Sequence, residues 1–168
     1  MASVERRALV MARTATGDND EALDLVQDAM LRLVKHYSAR PPAEWGPLFH
    51  RILQSRIRDW YRRAQVRNRF RVWFNRRPDD ETGDIVEQQP DHHNPGPDAN
   101  MVSHQAIVAL EAGLRKLPLR QQQAFLLRVW EGMDVAQTAH TMRCSEGSVK
   151  THYFRALRSL RTLLEDYW

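Results

Sequence analysis

The stretch SEGSVKTHYFRALRSLRTLL, Ser145–Leu164, has two unlike sides. At 100° per residue, Val149, Tyr153, Ala156, Leu157, Leu160, Leu163 and Leu164 fall in one sector, a face for burial against a core. Lys150, Thr151, Arg155, Arg158 and Arg161 lie outside it. Ser145 is placed to cap this helix, and Glu146 in its first turn suits the helix dipole. Just ahead, Asp134–Met142 reads as a short helix with Asp134 as its N-cap, and RCS leaves room only for a tight corner. That is helix-turn-helix spacing. Val135, Ala139 and Met142 are expected to pack on Val149 and Tyr153. The basic face then points outward, as in a recognition helix whose first-turn side chains reach base edges and whose later arginines hold phosphates. In isolation such a face is as simply a solvated one, so its neighbours decide.

Working outward, Met101–Lys116 and Leu119–Trp130 read as two further helices, parted by Leu117 and Pro118 and closed by the Glu131–Gly132 turn. Residues 78–100, PDDETGDIVEQQPDHHNPGPDAN, hold four of the eight prolines, several acids and no Lys or Arg. This composition is that of a flexible tether. Before it, helical periodicity predicts helices over Val4–Thr14 and Asp20–Tyr37, with TGDND as turn and cap, and a third starting near Trp45 or Leu48. In the second, Leu23, Val26, Met30, Leu33 and Val34 are the expected buried stripe, with Asp24, Gln27, Asp28 and Leu31 to the side. The run RRAQVRNRFRVWFNRR, residues 62–77, sets arginines around Val66, Phe70 and Trp73 at helical spacing. DNA or partner-protein contact is the preferred use of that run, and a membrane-surface helix the rival. The expected fold is all-α: two small helical domains, residues 1–77 and 101–168, joined by a flexible linker at 78–100, the second a helix-turn-helix.

Composition narrows the function. With 42% hydrophobic and 27% charged residues the chain has the make-up of a globular protein. It has no long uncharged apolar run and no signal-peptide core at MASVERRALV, so a cytoplasmic location is expected. The net charge of +4 matters mainly because it is segregated. One cysteine, Cys144, excludes an internal disulfide and a Cys-rich metal site. Catalytic constellations are absent: the DHH at Asp91–His93 and His104 lie where nothing fixes their geometry, so no enzyme, metal or cofactor is expected.

The segment LPLRQQQAFLLRVWEGMDVAQTAHTMRCSEGSVKTHYFRALRSL resembles the promoter-binding C-terminal region of bacterial extracytoplasmic-function sigma factors, through Leu117–Pro118, Glu131–Gly132 and Ser145, Gly147, Ser148, Val149 and Lys150. The general motif also occurs in response regulators. Two N-terminal segments separate the families: DLVQDAMLRLVKH, Asp24–His36, is similar to the sigma family's polymerase-docking helix, and RILQSRIRDWYRR, Arg51–Arg63, to its minus-10 segment. The resemblance implies core RNA polymerase contacts at Asp24, Gln27, Asp28 and Leu31. It implies minus-10 contacts at Ile52, Ser55, Arg58, Trp60, Tyr61, Arg62 and Arg63, where aromatics beside arginines suit unstacked bases. Minus-35 contacts are implied at Ser148, Lys150, Thr151, His152, Arg155 and Arg158. Core RNA polymerase, promoter DNA and an anti-sigma factor are the implied partners, and passage of the tether near the RNA exit path is implied as well. An ordinary solvated linker explains the tether's composition equally. Ser55 stands where the family has Asn, Arg143 where it has a turn Gly, and His152 where it has a basic residue. A packed core aromatic is as good a role for Trp60. A stand-alone DNA-binding regulator is the alternative function, distinguished by DNA binding without polymerase.

Overall fold

The computed structural model describes the backbone of residues 2–75 and 100–164 and the side chains of residues 4–71 and 105–164. The tether and its DHH lie outside the described residues. All regular structure in the described residues is helical. The N-terminal module comprises α1 (Ala2–Thr16), α2 (Asn19–Tyr37) and α3 (Pro42–Asn75). The C-terminal module comprises α4 (Asn100–Lys116), α5 (Leu119–Phe125), α6 (Val135–Met142) and α7 (Glu146–Leu164).

Local chemistry sets the boundaries. Gly17, at φ 72°, turns the chain out of α1, and the Asp18 carboxylate accepts from the Asp20 and Glu21 amides at 2.8 and 2.9 Å to start α2. Helix α3 begins earlier than expected, at Pro42, whose fixed φ suits a first turn. Pro118 likewise precedes α5. The expected single helix to Trp130 changes its bonding register at Leu126, where a π-helical turn runs Leu126–Trp130 and the Glu131 amide donates to the Leu126 carbonyl, five residues back, at 3.1 Å. That widened turn re-aims Glu131.

One apolar cluster gathers Ala8, Ala12, Ala22, Leu25, Val26, Ala29, Leu33, Phe49, Leu53 and Ile57; the other gathers Leu114, Leu117, Leu127, Met142, Val149, Ala156 and Leu160 with their neighbours. Close approach of α4 to α7 depends on Gly113, where an added Cβ would lie 3.2 Å from Leu160 Cδ2. The expected stripe on α2 is corrected: Val26 and Leu33 are buried, but Leu23 and Val34 are exposed, because the core-facing sector is filled by Ala22, Leu25 and Ala29. On α7, Leu157 and Leu163 sit at the exposed margin of the stripe for a related reason: the seam with α4, α5 and α6 takes Val149, Ala156 and Leu160 first.

The modules are packed on each other and not merely tethered. Met11 of α1 belongs to the C-terminal cluster, and Leu119 of α5 packs against the N-terminal one. Polar groups seal the junction. Gln122 donates to the Thr14 carbonyl at 3.2 Å and Gln123 to the Gln54 carbonyl at 3.3 Å, both buried. Glu131, 5% exposed, meets His50, 4% exposed, at 3.1 Å and Arg7 at 3.5 Å.

Candidate nucleic-acid and polymerase interfaces

The helix-turn-helix is built by its caps. Asp134 and Gln137 form a reciprocal capping box at the start of α6, with Asp134 Oδ1 accepting from the Gln137 amide at 2.7 Å. At its end Arg143 takes the left-handed conformation, φ 53° and ψ 54°; the Arg143 amide donates to the His140 carbonyl and the Cys144 amide to the Ala139 carbonyl. This is a Schellman corner held by a residue with a Cβ, a cost of about 1 kcal/mol relative to glycine. Ser145 then accepts from the Ser148 amide at 3.1 Å and opens α7. Val135 and Tyr153 pack beside Ala139, Met142 and Val149, as the periodicity predicts.

On the outer face of α7, Lys150, Thr151, Arg155 and Arg158 are exposed, while Ser148 and His152 are partly buried. Thr151 bonds back to the Gly147 carbonyl at 3.0 Å. Phe154 stands among them, 66% exposed. Sequence reasoning left it out because it belongs neither to the stripe nor to the basic set, although its position between Lys150 and Arg158 was available as a signal. Burial first, then Arg120 and Arg155, hold the His152 imidazole below its ordinary pKa, so it is neutral at pH 7.

Helix α2 presents Asp24 and Gln27 exposed, and Leu31 is 70% exposed. Leu23 and Val34 share this face at helical spacing. Asp28 differs, since it pairs with Arg32 at 3.1 Å and with Arg56 of α3. The face is an apolar strip with acidic and amide flanks.

The α3 candidates divide. Ile52 and Trp60 pack against the N-terminal cluster, and the Trp60 indole donates to Glu21 at 2.8 Å. Ser55 and Tyr61 are partly buried, Arg62 and Arg63 exposed. Arg58 is turned onto the other module, donating to the Met142 carbonyl at 3.2 Å, which also accepts from Arg120 at 2.9 Å. That carbonyl ends α6, where the helix dipole is negative, so it attracts two guanidiniums. Burial, then Arg120 and Arg143, lower the Arg58 pKa. Arg51 lies 3.2 Å from His140 of α6. Helix α6 therefore covers the Arg51–Gln54–Arg58 side of α3.

A family model for sigma-70 region 2 matches residues 2–67, and one for sigma-70 region 4 matches residues 107–160. The RNA polymerase sigma-E factor of Streptomyces avermitilis is 30% identical over 155 residues, 92% of this chain and 77% of that one. The ECF RNA polymerase sigma factor SigL of Mycobacterium tuberculosis H37Rv is 30% identical over 170 residues, 96% and 86% of the two chains. The chain belongs to the extracytoplasmic-function sigma factors. A solved structure of the sigma factor RpoE in complex with the anti-sigma factor NepR from Bartonella quintana shares the fold, with a TM-score of 0.63 over 98% of this sigma factor and 93% of that chain at 21% identity. Among the described residues, no group of three or more His, Cys, Asp or Glu side chains is placed to hold a metal, and no helix is long and apolar enough to cross a membrane.

Proposed function

We propose that this sigma factor divides its work among three faces. The strip on α2, Asp24, Gln27 and Leu31 extended by Leu23 and Val34, docks on core RNA polymerase. Asp28 serves it from the edge while tying α2 to α3. The α3 side from Ile52 to Arg63 takes the minus-10 strand, and the α7 face reads the minus-35 duplex. There Lys150, Thr151 and Arg155 are set toward bases, and Arg158 toward phosphate. Phe154 adds an apolar contact of the kind that suits a thymine methyl. The observation that carries this reading is the capped α6–α7 corner, which projects an uncovered basic face. The chain works in the cytoplasm with the polymerase supplying the chemistry, and an anti-sigma factor is a fitting regulator because the Bartonella relative is seen with one.

Promoter contact by α3 then requires the modules to part, since Arg58 is engaged on α6. Core polymerase supplies the driving interactions by favouring the separated form. The test is co-purification with core polymerase, followed by transcription from genomic fragments. Asp24→Ala with Gln27→Ala should weaken the complex, whereas Lys150→Ala with Arg155→Ala should leave it intact and reduce promoter-specific transcription tenfold or more, given roughly 1–3 kcal/mol per base contact. Loss of core association in the recognition-helix variant would overturn the division.

A further inference from the structure

Helix α3 outruns its module. No residue of α3 beyond Trp60 belongs to either apolar cluster among the described residues, yet α3 continues to Asn75. Arg62, Arg63, Gln65, Val66, Arg67, Asn68, Arg69, Phe70 and Arg71 are all exposed. At 100° per residue Arg62 and Arg69 fall on one flank, Arg63, Arg67 and Arg71 on the other, and Val66 and Phe70 between them. Of these five arginines only Arg62 has a carboxylate within ion-pair distance among the described residues, Asp59 at 3.6 Å. The arm thus carries nearly uncompensated positive charge on a helix that packing does not explain, with an aromatic ring, 56% exposed, in the middle of it.

We propose that this arm, Arg62–Arg71, is a landing site for single-stranded nucleic acid that works in the free protein, before polymerase is bound. Two rows of guanidinium groups track phosphates, and Phe70 offers a face on which an unpaired base stacks. A paired duplex has its base faces occupied, so it engages the arginines and gains little from Phe70. Continuity favours nucleic acid over an anionic lipid surface: Arg62 sits on the same side of α3 as Ser55 and Arg58, so a strand held by the arm is aimed along the face that α6 covers. The arm is the uncovered end of that face. The proposal goes beyond the polymerase reading, and polymerase is absent from its test.

The experiment is fluorescence anisotropy of a labelled mixed-sequence oligodeoxynucleotide with the full chain across a salt series. Binding without polymerase is expected. Arg67→Ala, Arg69→Ala and Arg71→Ala together should lower the slope of log K against log salt by about 2, at about 0.7 per phosphate contact on a single strand, while the corresponding Lys triple keeps the slope. Phe70→Ala should weaken binding roughly 5- to 150-fold at fixed salt without changing the slope. These positions are exposed and belong to neither apolar cluster, and unchanged unfolding curves will show that the folded core is intact. The proposal is overturned by an alanine triple that keeps the full slope, by a duplex binding as tightly as the single strand, or by an unaffected Phe70→Ala. Phosphatidylserine vesicles displacing the oligonucleotide through the same arginines would also overturn it and give the arm to a lipid surface.

Discussion

Arg143 shows how a single residue departs from its local rule and what that costs. Its φ of 53° is forced by the corner between α6 and α7, and its guanidinium lies among those that depress the Arg58 pKa. Arg143→Gly removes both the Cβ strain and one repulsion; the greater freedom of glycine in the unfolded chain offsets part of the gain. A net stabilisation of up to about 1 kcal/mol in urea unfolding is expected. His152 gives a second expectation. Its folded pKa lies below the ordinary value, so the unfolded chain binds the proton more readily. Its stabilising contribution is present above the ordinary histidine pKa of about 6.5 and is lost as pH falls through the folded value. His152→Gln should therefore flatten the acid limb of the stability profile below about pH 7. Caps such as Asp134 and Ser145 were legible in the sequence because their partners lie three residues away. Trp60 was not, since whether an indole meets the core or a base depends on Glu21, which only the tertiary fold brings near.

At the scale of elements, periodicity located the helices and misplaced one face. The α2 pattern admits two overlapping apolar sectors, one with Leu25 and Ala29, the other with Leu23, Leu31 and Val34. Alanines at positions 22 and 29 let α2 approach its neighbours closely, and that packing selects the first. The second is left as exposed apolar surface on a helix whose fold does not need it. Leu31→Asp with Val34→Asp should consequently change unfolding free energy by no more than about 0.5 kcal/mol while abolishing co-purification with core polymerase. Loss of folding would instead make these residues core.

For the whole molecule, the sequence revealed two modules and hid their junction. Glu131 reads as half of a turn motif, and nothing local announces that the π-helical turn delivers it to His50 and Arg7 in the other module. Neutralising this carboxylate removes its attraction for Arg7, which is itself partly solvated, and weakens its contact with His50. Glu131→Gln keeps a hydrogen-bonding side chain but loses the charge that faces Arg7, and should destabilise the closed form by about 1 kcal/mol. In X-ray scattering the radius of gyration of this variant should exceed that of the unsubstituted chain. The measurement that tests the masking of α3 most directly is energy transfer between dyes on the exposed positions Ser38→Cys and Thr162→Cys, with Cys144→Ser, as core polymerase is titrated in. Transfer that falls stoichiometrically from its free-chain level as the complex forms is the expected result. A stoichiometric complex that keeps the free chain's transfer would contradict it.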